Sequence, residues 1–172
     1  MDTITIRKAT LDEVATVQQI GRETFFETFA QLNTEADMQK YLIENFSEEK
    51  VLAELYHPDA QFIIAWEGSV PIGYLKVNTG SGQTELQDES ALEIERIYVK
   101  RAYHGQRVGQ LLYEKALAMA QAQGKYYIWL GVWEKNPKAI RFYQKNGFVA
   151  FDKHIFKLGE DQQTDILMKK LL

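Results

Sequence analysis

Two short runs carry residues whose types and spacing could do chemistry. The first is Ile97-Tyr98-Val99-Lys100-Arg101-Ala102-Tyr103-His104-Gly105-Gln106-Arg107-Val108-Gly109-Gln110. Upstream of it, Leu92, Ile94, Arg96 and Tyr98 alternate with Glu93, Glu95, Ile97 and Val99, a period of two that predicts a strand. Downstream, Val108, Leu111, Leu112, Lys115, Ala116, Met119 and Ala120 recur at helical spacing. A strand, a basic glycine-bearing turn and a helix start make an anion site. Gly105 and Gly109 let backbone N–H groups approach a ligand, the unpaired N–H groups and helix dipole favour negative charge, and Lys100, Arg101 and Arg107 add to it. The run is neither a P-loop, which ends in Gly-Lys-Ser/Thr, nor the dinucleotide fingerprint Gly-x-Gly-x-x-Gly.

The second run is Asn136-Pro137-Lys138-Ala139-Ile140-Arg141-Phe142-Tyr143-Gln144-Lys145-Asn146-Gly147-Phe148. Asn136 suits an N-cap, Pro137 the first helical position and Gly147 the end of a short helix.

The elements that must position these runs follow in order. Thr3 to Arg7 alternates as a strand, and Thr10-Leu11-Asp12-Glu13 reads as a capping box opening a helix with Val14, Val17, Ile20, Phe25 and Phe29 on one side. Gly21 predicts a bend or break in that helix. Thr34 and Ser47 cap two further helices, the second closed by His57-Pro58. Gln61 to Trp66 and Pro71 to Asn78 form two strands around a turn at Glu67-Gly68-Ser69, and residues 79–90 are a polar loop. The helix begun at Gly105 ends near Gly124, and Tyr126 to Trp133 is a buried strand parallel to Glu93–Val99. Two final strands, roughly Val149–Leu158 and Thr164–Leu171, flank Gly159-Glu160-Asp161.

The 172 residues suit a single domain spanning 1–172, large enough to bury about 70% of its unfolded surface. No cysteine is present, which excludes disulfides, thiolate metal sites and a covalent acyl-cysteine route. His57, His104 and His154 are scattered and predict no metal site. Met1 to Lys8 holds no apolar signal core, and no run approaches the roughly 18 apolar residues of a membrane span, so a cytoplasmic protein without membrane association is expected. With 24 acidic and 20 basic residues, the net charge of −4 argues against non-specific nucleic-acid binding and suits a cationic substrate.

Taken together, the two runs resemble the GNAT superfamily of N-acetyltransferases. The first resembles its pyrophosphate motif, Gln/Arg-x-x-Gly-x-Gly/Ala. Aligned on Gly109, the opening Gln/Arg falls on His104 and the first glycine on Arg107, and backbone donation survives both changes if Arg107 takes helical φ/ψ. The second matches the signature Asn-x-x-Ala-x-x-Phe-Tyr-x-x-x-Gly-Phe at Asn136, Ala139, Phe142, Tyr143, Gly147 and Phe148, which in the family flanks the pantetheine arm. The resemblance implies an α/β (α+β) fold: a mixed, mostly antiparallel sheet of about seven strands, splayed at two central parallel strands and flanked by helices. It implies acetyl-CoA as co-substrate and no metal.

The resemblance also distributes roles. Ile97, Tyr98 or Val99 would offer an N–H group to the thioester oxygen, and His104, Gly105, Gln106, Arg107, Val108, Gly109 and Gln110 would hold the pyrophosphate. Asn136, Ala139, Phe142 and Lys145 would flank the cofactor, with Lys138, Arg141 and Lys145 beside its ribose phosphate. Tyr143 would protonate or hydrogen-bond the departing thiolate, and Glu93 or Glu95, on one strand face by alternation, would take the proton of the amine. Phe25, Glu27 and Tyr41, on the N-terminal helices, would touch the acceptor, unless these aromatics are simply core. The runs Leu92–Val99, Ile128–Asn136 and Gly159–Asp165 further resemble bacterial PaiA-type spermidine/spermine N-acetyltransferases, implying direct transfer to a polyamine. A protein lysine or N-terminal acetyltransferase, or a non-catalytic acyl-CoA-binding regulatory module, are the alternatives, and a homodimer stays open.

Overall fold

The computed structural model describes residues 3–172; Met1 and Asp2, which begin the polar N-terminal run, lie outside the described residues. Strand β1 (Ile4–Lys8) leads to the expected capping box, in which the Thr10 N–H donates to Glu13 Oε1 at 2.9 Å. One 3₁₀ turn then feeds α1 (Val14–Phe29). The hydroxyl of Thr34 accepts from the Asp37 N–H at 3.1 Å to open α2 (Glu35–Asn45), and that of Ser47 accepts from the Lys50 N–H at 3.1 Å to open α3 (Glu48–Tyr56).

Gly21 does not break α1, contrary to the bend expected from its propensity. A Cβ there would stand 2.5 Å from Cε1 of Phe46, whose ring packs against the helix from the end of α2. The glycine is a close-packing position rather than a hinge.

Strands β2 (Ala60–Glu67), β3 (Val70–Asn78), β4 (Ala91–Val99), β5 (Tyr127–Trp133), β6 (Val149–Leu158) and β7 (Asp161–Leu171) join β1 in one sheet of order β1-β2-β3-β4-β5-β7-β6. Every pairing is antiparallel except β4 with β5, which are linked by the crossover helix α4 (Val108–Ala122). Helix α4 and α5 (Pro137–Lys145) cover one face through Val108, Leu112, Ala116 and Tyr143, while α1 and α3 cover the other through Val17, Ile20 and Val51.

Two departures from regularity shape the sheet's centre. Parallel pairing runs only from Ala91↔Tyr127 to Ile94↔Leu130, so the strands splay beyond that point. In the β3–β4 ladder Val77 faces Ile94 but Lys76 faces Arg96, leaving Glu95 as an extra residue, a β-bulge. The bulge corrects the strand faces expected from alternation. Ile97 and Val99 share the α4 side with Leu92 and Ile94, whereas Tyr98 packs with the N-terminal helices. Loop 79–90 packs back onto the sheet: Gln83 is buried, and its Oε1 accepts from Trp129 Nε1 at 2.7 Å.

Replacing Gly21 with alanine should destabilise the fold by about 1–3 kcal/mol through overpacking against Phe46, read as a lowered urea midpoint with an unchanged m-value.

Candidate active site

The splay opens into a cavity of about 1220 Å³. The candidate site residues named from the sequence line it except Gln106 and Lys100, at the turn, and Arg141, exposed on the helix that follows β5.

At one end lies the anion turn. Helix α4 starts at Val108 rather than Gly105, because Arg107 adopts left-handed φ 64° and ψ 14° instead of helical angles. It is the non-glycine residue with positive φ among those described, and it stands at the position aligned with the motif's first glycine. Such a conformation costs an L-residue on the order of 1 kcal/mol. Gly105 has φ +82° with nothing within 4 Å of an added Cβ, and a Cβ on Gly109 would meet only Val99 Cγ2 at 3.9 Å. The first intrahelical bond runs from Leu111 N–H to the Arg107 carbonyl, so the N–H groups of Val108, Gly109 and Gln110 have no acceptor among the described residues. They form an open cradle suited to a phosphate.

His104 fixes this turn. Its Nε2–H donates to the Val99 carbonyl at 2.8 Å, leaving Nδ1 to accept from Lys138 Nζ at 3.5 Å. Since a carbonyl can only accept, the tautomer follows from that contact. Helix α5 is pinned to α4 by Gln110 Nε2 donating to Asn146 Oδ1 at 3.1 Å. Asn136 caps α5 by accepting from Ala139 N–H at 3.3 Å, and Gly147, at φ 93°, turns the chain out of it. Tyr143 packs edge-on to Phe142 and Phe148 with centroids 5.4 and 5.8 Å away. Its hydroxyl has no hydrogen-bond partner among the described residues, and burial pushes its pKa well above the ordinary value.

Along the splay, ladder alternation sets the backbone. Lys100 N–H donates to the Ile72 carbonyl at 2.9 Å, which places the Tyr98 and Arg96 N–H groups toward β3 and those of Ile97 and Val99 toward the opening.

The two glutamates differ sharply. Glu93 is 3% exposed; its Oε1 accepts from Asn78 Nδ2 at 3.0 Å and Thr84 N–H at 2.8 Å, and its Oε2 from the Thr84 hydroxyl at 2.5 Å. It ties loop 79–90 to β4. Desolvation nonetheless raises its pKa against those donors. Glu95 keeps 21% of its side chain exposed and touches the Lys76 ammonium. Desolvation raises its pKa, but Arg96 and Lys76 outweigh that and leave it lowered.

The far end is aromatic and acidic. Phe25 stacks on Tyr41 at 4.3 Å, Phe29 lies 5.1 Å from Trp133, and Tyr41 meets Phe156 edge-on at 5.8 Å. Phe25 is thus core and cavity wall at once, and burial pushes Tyr41 up to about 12. Glu27 accepts from the Arg101 N–H at 3.0 Å, bracing α1 against the turn. Three residues the sequence left unconnected meet here: His154 contacts Glu85 and faces Asp165 across the β6–β7 ladder. Burial pushes the Asp165 carboxyl up to about 6 against the pull of His154. Cross-strand register joins His154 to Asp165 and the folded-back loop brings Glu85 to them, and no local motif announces it.

A family model described as Acetyltransferase (GNAT) family matches residues 20–148, and the chain belongs to that family. It is an N-acetyltransferase by that membership. It is 39% identical over 153 residues, 89% of this chain and 88% of the relative, to an uncharacterized N-acetyltransferase in the pepI 3' region of Lactobacillus delbrueckii subsp. lactis. It is 26% identical over 171 residues, covering 97% and 96% of the two chains, to a spermidine N(1)-acetyltransferase of Thermoplasma acidophilum. The crystal structure of the PaiA N-acetyltransferase of Thermoplasma acidophilum in complex with coenzyme A superposes with a TM-score of 0.82 at 25% identity, over 99% of each chain. Among the described residues no helix is long and apolar enough to cross a membrane.

Arg107→Gly should raise stability by about 1 kcal/mol by relieving the left-handed conformation, while weakening coenzyme A binding through the lost guanidinium. Chemical denaturation and calorimetric titration read the two effects separately.

Proposed function

We propose that this chain transfers the acetyl group of acetyl-CoA directly to a primary amine of a polyamine, spermidine or spermine, with residues 1–172 acting as one catalytic domain. The observation that carries this reading is the polarity of the cavity. Its cradle end presents free N–H groups with Arg107, Lys138 and Lys145, and the part walled by Phe25, Tyr41, Phe156 and Trp133 carries the carboxylates Glu85, Glu95 and Asp165 against the cations Arg96 and Lys50. An anionic cofactor and a cationic acceptor suit opposite ends of one cavity. Similarity to a spermidine acetyltransferase points the same way.

Acetyl-CoA supplies an activated acyl carbon. The N–H groups of Val108, Gly109 and Gln110 would hold its pyrophosphate, with Arg107, Lys138 and Lys145 adding positive charge. The N–H groups of Ile97 and Val99 would receive charge developing on the carbonyl oxygen, a task needing preorganised donors and no side chain. A polyamine nitrogen of pKa about 10.4 arrives protonated, which opposes attack at pH 7 by roughly 4–5 kcal/mol. Glu95, on the cavity wall and bonded to fewer groups than Glu93, takes that proton directly or through a water. Tyr143, kept neutral by burial, donates a hydrogen bond to the departing sulfur. A phenol near 10 is a weaker acid than a thiol near 8.5, so full transfer is uphill by about 2 kcal/mol and burial increases the gap. A strengthening hydrogen bond suffices. The chain has no cysteine to take up the acetyl group, consistent with direct transfer.

Coenzyme A release should be saturable with spermidine and spermine and weak with a lysine peptide; turnover confined to the peptide would move the activity to protein acetylation, and binding without turnover would leave a regulatory module. Tyr143→Phe should lower kcat with spermidine about 100-fold, with KM changed far less.

A further inference from the structure

From the cavity wall inward runs a buried charge network of which the mechanism above uses only Glu95. Lys76 on β3 is 5% exposed, and an ammonium so desolvated needs counter-charges. It has two. Its Nζ lies 2.5 Å from Glu54 Oε2 on α3 and also contacts Glu95 Oε2 on β4. Arg96 approaches the same Glu54 oxygen at 3.6 Å and rests over the Phe46 ring at 5.1 Å. The bulge creates this arrangement, because it sets both Glu95 and Arg96 opposite Lys76. Glu95 and Arg96 line the cavity, whereas Lys76 and Glu54 stand behind them.

We infer that Glu54 is a positioning residue for the proton-accepting Glu95: through the shared Lys76 ammonium it fixes the place and the charge balance of that carboxylate. This rests on the reading of Glu95 as the proton acceptor. The physical argument is one of charge. With all four groups ionised, two cations meet two carboxylates and the network is neutral. Glu54 divides the field of Lys76 and Arg96, which would otherwise fall on Glu95 alone. A carboxylate facing two unshared cations holds a proton poorly, and a poor proton acceptor is a poor base. The other titratable groups around Glu95 are Tyr41 from α2, Tyr74 from β3 and Glu93 from its own strand. Burial raises both tyrosines, which stay neutral in the working range, and Glu93 is committed to Asn78 and Thr84. The charge balance on Glu95 is therefore set by Glu54, Lys76 and Arg96.

The test is the acid limb of the kcat–pH profile with spermidine, with thermal melting in parallel. Glu54→Gln leaves a net positive network, and the limb should move to lower pH by about 1 unit or more, with kcat at pH 7 reduced several-fold. Lys76→Met leaves a net negative one, and the limb should move up by a comparable amount. Glu54→Asp, which keeps the charge, should return the limb to within a few tenths of a unit of wild type, and Glu54→Met, uncharged like the glutamine variant, should lower it in the same way and carries the test if the glutamine variant does not fold. Glu95→Gln separates the two readings. If that variant keeps its activity and its acid limb, the assignment of Glu95 fails. If it loses both while Glu54→Gln lowers only the melting temperature, or while the Glu54 and Lys76 variants shift the limb in the same direction, Glu54 is merely structural and the inference is overturned.

Discussion

The one extra residue at Glu95 in β4 is the constraint from which the site follows. A bulge bends its strand and increases local twist, and β4 parts from β5 immediately beyond Ile94. Past that point the N–H groups of Ile97 and Val99 face an opening instead of a neighbouring strand. The same insertion moves Ile97 and Val99 to the α4 side, sends Tyr98 toward the N-terminal helices, and sets two side chains of opposite charge against Lys76. A continuous parallel pairing would leave neither the gap nor the free donors.

The anion turn depends on the same strand end. β4 delivers the chain to Lys100, a short 3₁₀ turn follows, and α4 begins only after the left-handed Arg107 has swung the backbone into register. His104 stabilises that path by bonding back to Val99 and out toward Lys138. At the aligned motif positions glycine is replaced by a strained arginine, and a histidine spans the gap between strand and helix. Arg107 does not take the helical φ/ψ that the sequence pattern required, and the N–H groups of Val108, Gly109 and Gln110 are left open by a left-handed conformation instead.

Much of this was legible in the chain. The caps at Thr34, Ser47 and Asn136 each accept a backbone N–H, because short polar side chains before an apolar-periodic run leave few other arrangements. The final hairpin and the parallel Tyr127–Trp133 strand were equally readable from glycine punctuation and apolar continuity. The bulge was not. Nothing in Glu-Ile-Glu-Arg-Ile marks one residue as surplus, and strict alternation carried Arg96 and Tyr98 to the wrong face. Gly21 misled for a related reason: propensity describes an isolated helix, and here the glycine answers to a ring more than twenty residues away. His154, Asp165 and Glu85 meet through strand register and a folded loop, as do Lys76 and Glu54 through packing of α3 on the sheet. Long-range pairings of this kind leave no local trace in sequence.

The most direct test is hydrogen exchange at single backbone amides of β4, with and without acetyl-CoA. In the free protein the amides of Ile97 and Val99 should exchange rapidly while those of Arg96 and Tyr98 are protected by the β3 ladder, and acetyl-CoA should slow only the first pair. Uniform protection of all four in the free protein, or no change at Ile97 and Val99 when acetyl-CoA binds, would contradict a site organised by the bulge.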